Sequence, residues 1–222
     1  MNLLSKILLI KNYLLGRYSI KSYSQEGEDL ILARIFEGKQ KGIYVDVGAH
    51  HPLRFSNTYL LYRQGWSGIN LDANPGSMDA FKMLRPRDLN LQLGIADKIS
   101  RKTFYQFNEP AINTFDYSLI KNNLKVGYKL VGKQSISVLP LSTILHRYLQ
   151  TKHIDLLSID IEGFDYRALK SMDWTYSPTV VVIEQLGASF ATLINSRSSK
   201  LLQNHGYHLH AKTVNSAIYL LD

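Results

Sequence analysis

The chain of 222 residues contains no cysteine. Disulfides, thiolate metal sites and zinc fingers are thereby excluded, and the absence fits a reducing compartment. No segment is low in complexity or dominated by proline, glycine or serine, and no internal repeat is visible, so repeat architectures are excluded as well. Apolar runs long enough to span a bilayer are missing. The best candidate, at the amino end, is broken by Lys6 and Lys11, and no small-residue cleavage pattern follows to make it a signal peptide. Acidic residues are absent from residues 1–21, which carry Lys6, Lys11, Arg17 and Lys21 among Leu3, Leu4, Ile7, Leu8, Leu9, Ile10, Leu14 and Leu15. This stretch reads as a basic amphipathic helix. It is either packed on the rest of the chain, left as a partly ordered tail, or docked peripherally on an anionic membrane surface.

What is present is the composition of one ordinary globular unit, 45% hydrophobic and 20% charged. A formal charge of +8 favours anionic partners such as phosphorylated sugars, nucleic acid or acidic lipid, and carries no information about fold. The expectation is a cytoplasmic protein, at the inner face of the membrane where the amino-terminal helix docks.

Hydrophobic periodicity predicts alternating elements. A helix is expected from Ser24 to near Gly38, with Leu30, Ile31, Ile35 and Phe36 on its buried face. A strand at 43–47, a helix at 56–64, a strand at 68–71, a helix at 76–84 and a strand at 89–93 make β-α-β units, and the right-handed crossover rule makes their sheet parallel. Residues 102–107 and 134–139 read as extended segments around a polar region, 108–133, expected as a loop or short helix over the sheet edge. The pattern then resumes with a helix at 141–149, a strand at 156–159, a helix at 166–172 and a strand at 179–183. A helix at 198–205 and a hairpin of 207–211 with 217–221 close the chain.

Strand ends collect the chemistry. The segment Ile43-Tyr44-Val45-Asp46-Val47-Gly48-Ala49-His50-His51-Pro52 runs a short strand into an Asp-x-Gly turn, where Gly48 reaches angles closed to other residues and Asp46 places a carboxylate at the strand's carboxyl end. Asp72, Asp160 and Glu184 stand at three further strand ends, where open α/β sheets bind their ligands. Asp72 follows Asp46 at the offset of a ribose-binding acid. His50, His51 and Pro52 replace the later glycines of a diphosphate-binding loop, so a nucleoside without phosphates, such as S-adenosylmethionine, suits the turn better than a dinucleotide. Asp160-Ile161-Glu162-Gly163 is a second dense site. If the backbone is still extended, Asp160 and Glu162 share a face, and with His50 or His51 such carboxylates suit a divalent cation. A solvated or helix-capping role is the plainer alternative for each acid taken singly.

Motifs in order along nearly the whole chain resemble the FkbM-type family of S-adenosylmethionine-dependent methyltransferases. They are Tyr23-Ser24-Gln25-Glu26-Gly27-Glu28-Asp29, the segment from Tyr44 to Pro52, Ser56-Asn57-Thr58, Gly65-Trp66-Ser67-Gly68, Asp72-Ala73-Asn74-Pro75, Asp160-Ile161-Glu162-Gly163 and Glu184. The resemblance implies a class I methyltransferase (Rossmann-like) fold, a mostly parallel seven-stranded sheet with helices on both faces and an antiparallel edge hairpin. It also implies O-methylation of a hydroxyl on a sugar, glycolipid, polysaccharide or related natural product, by a domain expected at 23–222 behind an amino-terminal element at 1–22. By position, Gln25, Asp46, Gly48, Ala49, Asp72, Ala73, Asn74 and Asp160 are expected at the cofactor. Asp160, Glu162, Glu184 and His51 are the expected catalytic groups, and His51, Asp160 and Glu184 the ligands of a cation if one is used. Asp72 stands where many relatives have glutamate. Two rival readings share the fold. An RNA ribose methyltransferase is favoured by charge, but no pair of lysines stands around Asp160, and a nicotinamide or nucleotide-sugar binder is opposed by the incomplete glycine motif.

Overall fold

A computed structural model describes residues 2–149, 151, 153–187 and 189–222. Helix α1 spans Leu3–Leu14 and α2 Glu28–Ile35. Strand β1 (Ile43–Val47), α3 (Tyr59–Arg63), β2 (Ser67–Asp72), α4 (Ser77–Leu84) and β3 (Leu89–Gln92) follow. An excursion comes next, with β4 (Gly94–Ile95), β5 (Ser100–Phe107), α5 (Tyr117–Lys125) and β6 (Leu130–Leu139). The chain returns through α6 (Leu141–Tyr148), β7 (Leu156–Ile159), α7 (Asp165–Lys170) and β8 (Val180–Glu184). It ends with α8 (Phe190–Ile194), α9 (Arg197–Asn204), β9 (Tyr207–Lys212) and β10 (Ser216–Leu221).

Seven strands form the main sheet in the order β3-β2-β1-β7-β8-β10-β9. Neighbours are parallel from β3 through β8, and β10 runs antiparallel to both β8 and β9. This is the class I methyltransferase topology expected from the sequence. Period-2 alternation sorts the central strands between two apolar layers. Val45, Val47, Val181 and Ile183 face the layer filled by Leu141 and Leu145 of α6, Leu169 of α7, Leu193 of α8 and Leu202 of α9. Tyr44, Val180 and Val182 face the other, against Leu32 of α2, Leu61 of α3 and the fully buried Trp66.

Three expectations differ from the outcome. Helix α2 starts at Glu28 rather than Ser24, because the Ser24 hydroxyl accepts from the amides of Gly27 and Asp29 and holds a turn that ends at Gly27, φ 90°. The strand expected at 89–93 stops at Gln92. The Leu93 amide donates to the Asp72 carbonyl and the chain peels off so that Gly94 pairs with Val138. Residues 94–139 thus build a second sheet, β4-β6-β5: the two expected extended segments are β5 and part of β6, the polar region between them holds α5, and what was not expected is their pairing into a separate sheet. Helix α8 had no counterpart in the sequence reading.

Between β1, β2 and α4 lies a buried polar knot. Arg85, with no exposed surface, donates to Asp88 at 2.8 Å, to the Tyr44 hydroxyl at 2.7 Å and to Thr58 Oγ1 at 3.0 Å. Asp88 also accepts from the Tyr44 hydroxyl, the Gly68 amide and Asn70 Nδ2. Burial raises the Tyr44 hydroxyl pKa, so it stays a donor. An ion pair this deep gives little net stability as a pair, but removing one partner strands the other charge. Asp88→Ala is therefore expected to cost about 3–5 kcal/mol, read as a lower urea midpoint.

Candidate functional site

Parallel register sets the site. Val47 pairs with Leu71 and with Ile159, and Ile159 with Ile183, so the next residues, Gly48, Asp72, Asp160 and Glu184, are level at the carboxyl ends of β1, β2, β7 and β8. The crevice between β1 and β7, where the strand order reverses, opens there. Gly48 holds φ 86°, and a Cβ on it would stand 1.7 Å from the Asp160 carbonyl oxygen. Only glycine allows this approach of two strand ends.

Two cavities adjoin at this edge. The first, about 470 Å³, is lined by Gly48, Asp72, Ala73 and Asn74 on the sheet side and by Phe104, Asn113 and Phe115 of the excursion. The second, about 1140 Å³, is lined among others by Gln25, Arg54, Phe55, Tyr128 and Glu184. They share Gly48, His50, Ala111, Asp160 and Glu162.

At the shared wall, one carboxylate oxygen each of Asp160, Glu162 and Glu184 lies within 4.8 Å of the others. Asp160 and Glu162 do not meet by strand alternation: Glu162 takes φ 49° and Gly163 φ 91°, so a turn folds Glu162 back toward Asp160. Asp165 clasps that turn, accepting from the amides of Ile161 at 3.0 Å and Gly163 at 3.1 Å. Thr114 of the excursion donates to the Glu162 carbonyl at 2.7 Å. The three carboxylates accept no side-chain or backbone hydrogen bond among the described residues. Burial is the largest cause raising all three pKa values, and repulsion adds to it, from Asp165 at Glu162, from Asp165 and Glu162 at Asp160, and from Asp160, Glu162 and Asp165 at Glu184; Glu162 rises to about 7, Glu184 to about 10 and Asp160 well above its usual range. Asp160 nevertheless has open surface, which faces the cavities.

The other expected residues separate into those at the cavities and those behind them. Asp72 lies at the first cavity, its carboxylate accepting from the amides of His50 at 2.8 Å and Asn74 at 2.6 Å, so it locks the β1 and β2 loops together. Asn74 accepts from Asn113 Nδ2, which ties the excursion over that cavity. Gln25 lies at the second. Asp46 and Ala49 line neither. Asp46 shares the parity of Tyr44 and turns to the opposite layer, where it accepts from Thr58 at 2.6 Å beneath Arg85, and Ala49 packs on Met78 and Phe81. The alternation of Tyr44 and Asp46 against Val45 and Val47 already carried that signal.

Of the paired histidines, His50 is at the site. It lines both cavities, its Nε2 is buried with no partner among the described residues, and burial lowers its pKa, keeping it neutral. His51 stands outside them, its Nδ1 accepting from the amides of Leu53 and Arg54, so the acidic cluster contains Glu162 where His51 was expected. Three carboxylates have the donor chemistry of a magnesium, manganese or calcium site. The sequence reading gave no individual role to Asp165, Asn113, Thr114 or Glu28, the last of which forms a clamp with Glu26. Glu26 accepts from the Asn215 amide and side chain, and Glu28 from Thr213, fixing the β9–β10 turn beside Gln25. Among the described residues, His50, Phe55 and Glu162 are three of the four non-glycine residues with positive φ, and all three line the second cavity. Strained backbone concentrated in one place is characteristic of functional sites.

Residues 46–209 match the family described as the methyltransferase FkbM domain. Among solved structures, the chain is similar to a TehB-like SAM-dependent methyltransferase from Corynebacterium glutamicum, 12% identical over 98% of each chain with a TM-score of 0.47. A precorrin-6y C5,15-methyltransferase from Geobacter metallireducens is 11% identical over 92% of this chain and 93% of its own, TM-score 0.46. Fibrillarin from Aeropyrum pernix, with natively bound S-adenosyl-L-methionine, is 9% identical over 86% and 74%, TM-score 0.45. No curated protein matches the chain.

The acidic cluster has a consequence for stability. Unfolded, Glu162 and Glu184 lose their protons near pH 4.5, whereas folded they keep them to about 7 and about 10. Over that interval the native state holds more protons, so its stability falls as pH rises. The Tm of the ligand-free protein is expected to decline from pH 5 to pH 8, and Glu184→Gln to flatten the decline in calorimetric scans.

Proposed function

The chain belongs to the FkbM methyltransferase domain family, and on that premise we propose that it transfers the methyl group of S-adenosylmethionine to a hydroxyl of a sugar, glycolipid, polysaccharide or related natural product. One observation carries this reading: two cavities meet at a wall of unpaired carboxylates. A donor in the smaller and an acceptor in the larger would face each other across Asp160 and Glu162. Positioning of that kind supplies much of the rate of an in-line displacement.

The smaller cavity fits the cofactor in its donor set. Asp72 offers carboxylate oxygens to ribose hydroxyls, Gly48 leaves the backbone bare, and His50 Nε2 is a buried polar atom in want of a partner. The loop after β1 carries His50, His51 and Pro52 in place of the later glycines that would favour a diphosphate. When bound, S-adenosylmethionine supplies an electrophilic methyl group on a positively charged sulfur. The carboxylates answer that charge, and they remain to accept the proton that the acceptor hydroxyl must lose. Glu162, raised to about 7, is the member best matched to that task near neutral pH. Burial, and after it the neighbouring charge of Asp165, keeps it there. The larger cavity offers Phe55 and Tyr128 as faces for a sugar ring and Arg54, Gln25 and Asn215 as polar contacts.

Calorimetry is expected to show tight binding of S-adenosylhomocysteine and none of NAD; the reverse would overturn the assignment. Glu162→Gln is expected to lower kcat by about 10²–10⁴-fold and to abolish the rise of activity through pH 7, while raising Tm. Asp160→Asn should also abolish turnover with the fold retained.

Chelation separates the two ways of neutralising the cluster. With His51 outside the cluster and the donor itself cationic, activity is expected to survive exhaustive EDTA treatment. Loss restored by magnesium or manganese would place a cation among the carboxylates instead.

A further inference from the structure

The amino-terminal helix buries none of its residues among the described residues of the structure. Every described residue from Asn2 to Lys21 is exposed except Asn12, which is tied to Arg17 and Tyr18 on its own segment. Leu3, Leu4, Tyr13, Leu14, Tyr18 and Ile20 are each at least 66% exposed, the densest run of bare apolar side chains in the chain. Water does not tolerate such a surface without something to cover it. No helix of the described residues is long and apolar enough to cross a membrane, and twelve residues rise about 18 Å against a hydrocarbon core of about 30 Å.

Charge and placement identify the cover. At about 100° per residue, Leu3, Ile7, Ile10 and Leu14 make a stripe along α1 with Lys6 on one flank and Lys11 on the other, and Ser5 and Asn12 opposite. Lysines at the margins of an apolar stripe can extend to a headgroup layer while their stems stay in the apolar zone. Arg17 and Lys21 continue the positive charge, and the first acidic residue is Glu26. Tyr13 and Tyr18 are residues of the type enriched at membrane interfaces. A second copy of the helix would set lysine against lysine beside any shared apolar seam.

We propose that residues 2–21 seat this protein on the surface of an anionic phospholipid bilayer, with α1 lying in the interface plane. The globular part hangs from a firm point. Ser22, Tyr23 and Ser24 all donate to the buried carboxylate of Asp29, and the Tyr23 ring packs edge-on against Tyr59 at 4.7 Å. Gln25, on the wall of the larger cavity, follows immediately. Seven linker residues, 15–21, reach at most about 25 Å, so docking holds that cavity close to the lipid surface.

Co-sedimentation of the full chain with vesicles tests this, using phosphatidylcholine alone or with 30% phosphatidylglycerol. Binding is expected to the anionic vesicles, to weaken about fivefold for each of Lys6→Glu and Lys11→Glu, and to fall more than tenfold for Ile7→Asp with Ile10→Asp. Because Lys6, Ile7, Ile10 and Lys11 are all exposed, these variants are expected to keep the wild-type Tm and circular dichroism. Absence of binding to either vesicle, or equal binding by wild type and the Ile7→Asp, Ile10→Asp variant, overturns the proposal. So does self-association that this variant abolishes, if it occurs without vesicle binding, since the face would then belong to a second copy.

Discussion

Mutual repulsion among Asp160, Glu162 and Glu184 is the constraint around which the structure is arranged. Three carboxylates with oxygens within 4.8 Å and no hydrogen-bond donor cannot all be ionised in the ligand-free chain. They hold protons or meet a cation. The sheet pins two of them by register and the Asp165 clasp pins the third, so the repulsion cannot be relaxed by moving apart. A site built this way costs stability when empty and recovers it when positive charge arrives, and that difference favours a cationic donor over a neutral one.

The remaining acids hold the frame. Asp88 neutralises Arg85, Asp46 accepts from Thr58 beneath that cation, Asp29 collects the amino-terminal turn, and Glu26 with Glu28 fastens the β9–β10 turn. Each is satisfied by named donors, unlike the three at the cavity wall. Satisfaction by hydrogen bonds thus separates structural carboxylates from those free to do chemistry, a distinction that position along the chain blurs. Residues 23–29 are on this view mostly a clamp, with Gln25 the one among them that lines either of the two cavities at the strand ends.

Much of this was legible beforehand. Apolar periodicity located the strands of the main sheet, and the acids at Asp72, Asp160 and Glu184 were identified from strand ends alone, because a parallel sheet aligns its carboxyl ends. The second sheet was not legible. Strand β4 has only two residues, and β6 is exposed along most of its length, so the extended segments at 102–107 and 134–139 carried no sign that they pair into a sheet of their own. Asn113 and Thr114 matter through contacts with Asn74 and Glu162, at separations of 39 and 48 residues, which no local pattern encodes.

Local chemistry in the sequence determined the order of elements, the class of fold and the strand ends at which ligands would sit, since those follow from side-chain period and chain crossover. Only the tertiary structure decided which groups face the cavities. It turned Asp46 into the frame, put His50 rather than His51 at the site, and folded Glu162 back to within reach of Asp160 and Glu184. Facing is settled by which helix layer covers each side of a strand and by single left-handed residues in loops. Both depend on packing between segments far apart in the chain.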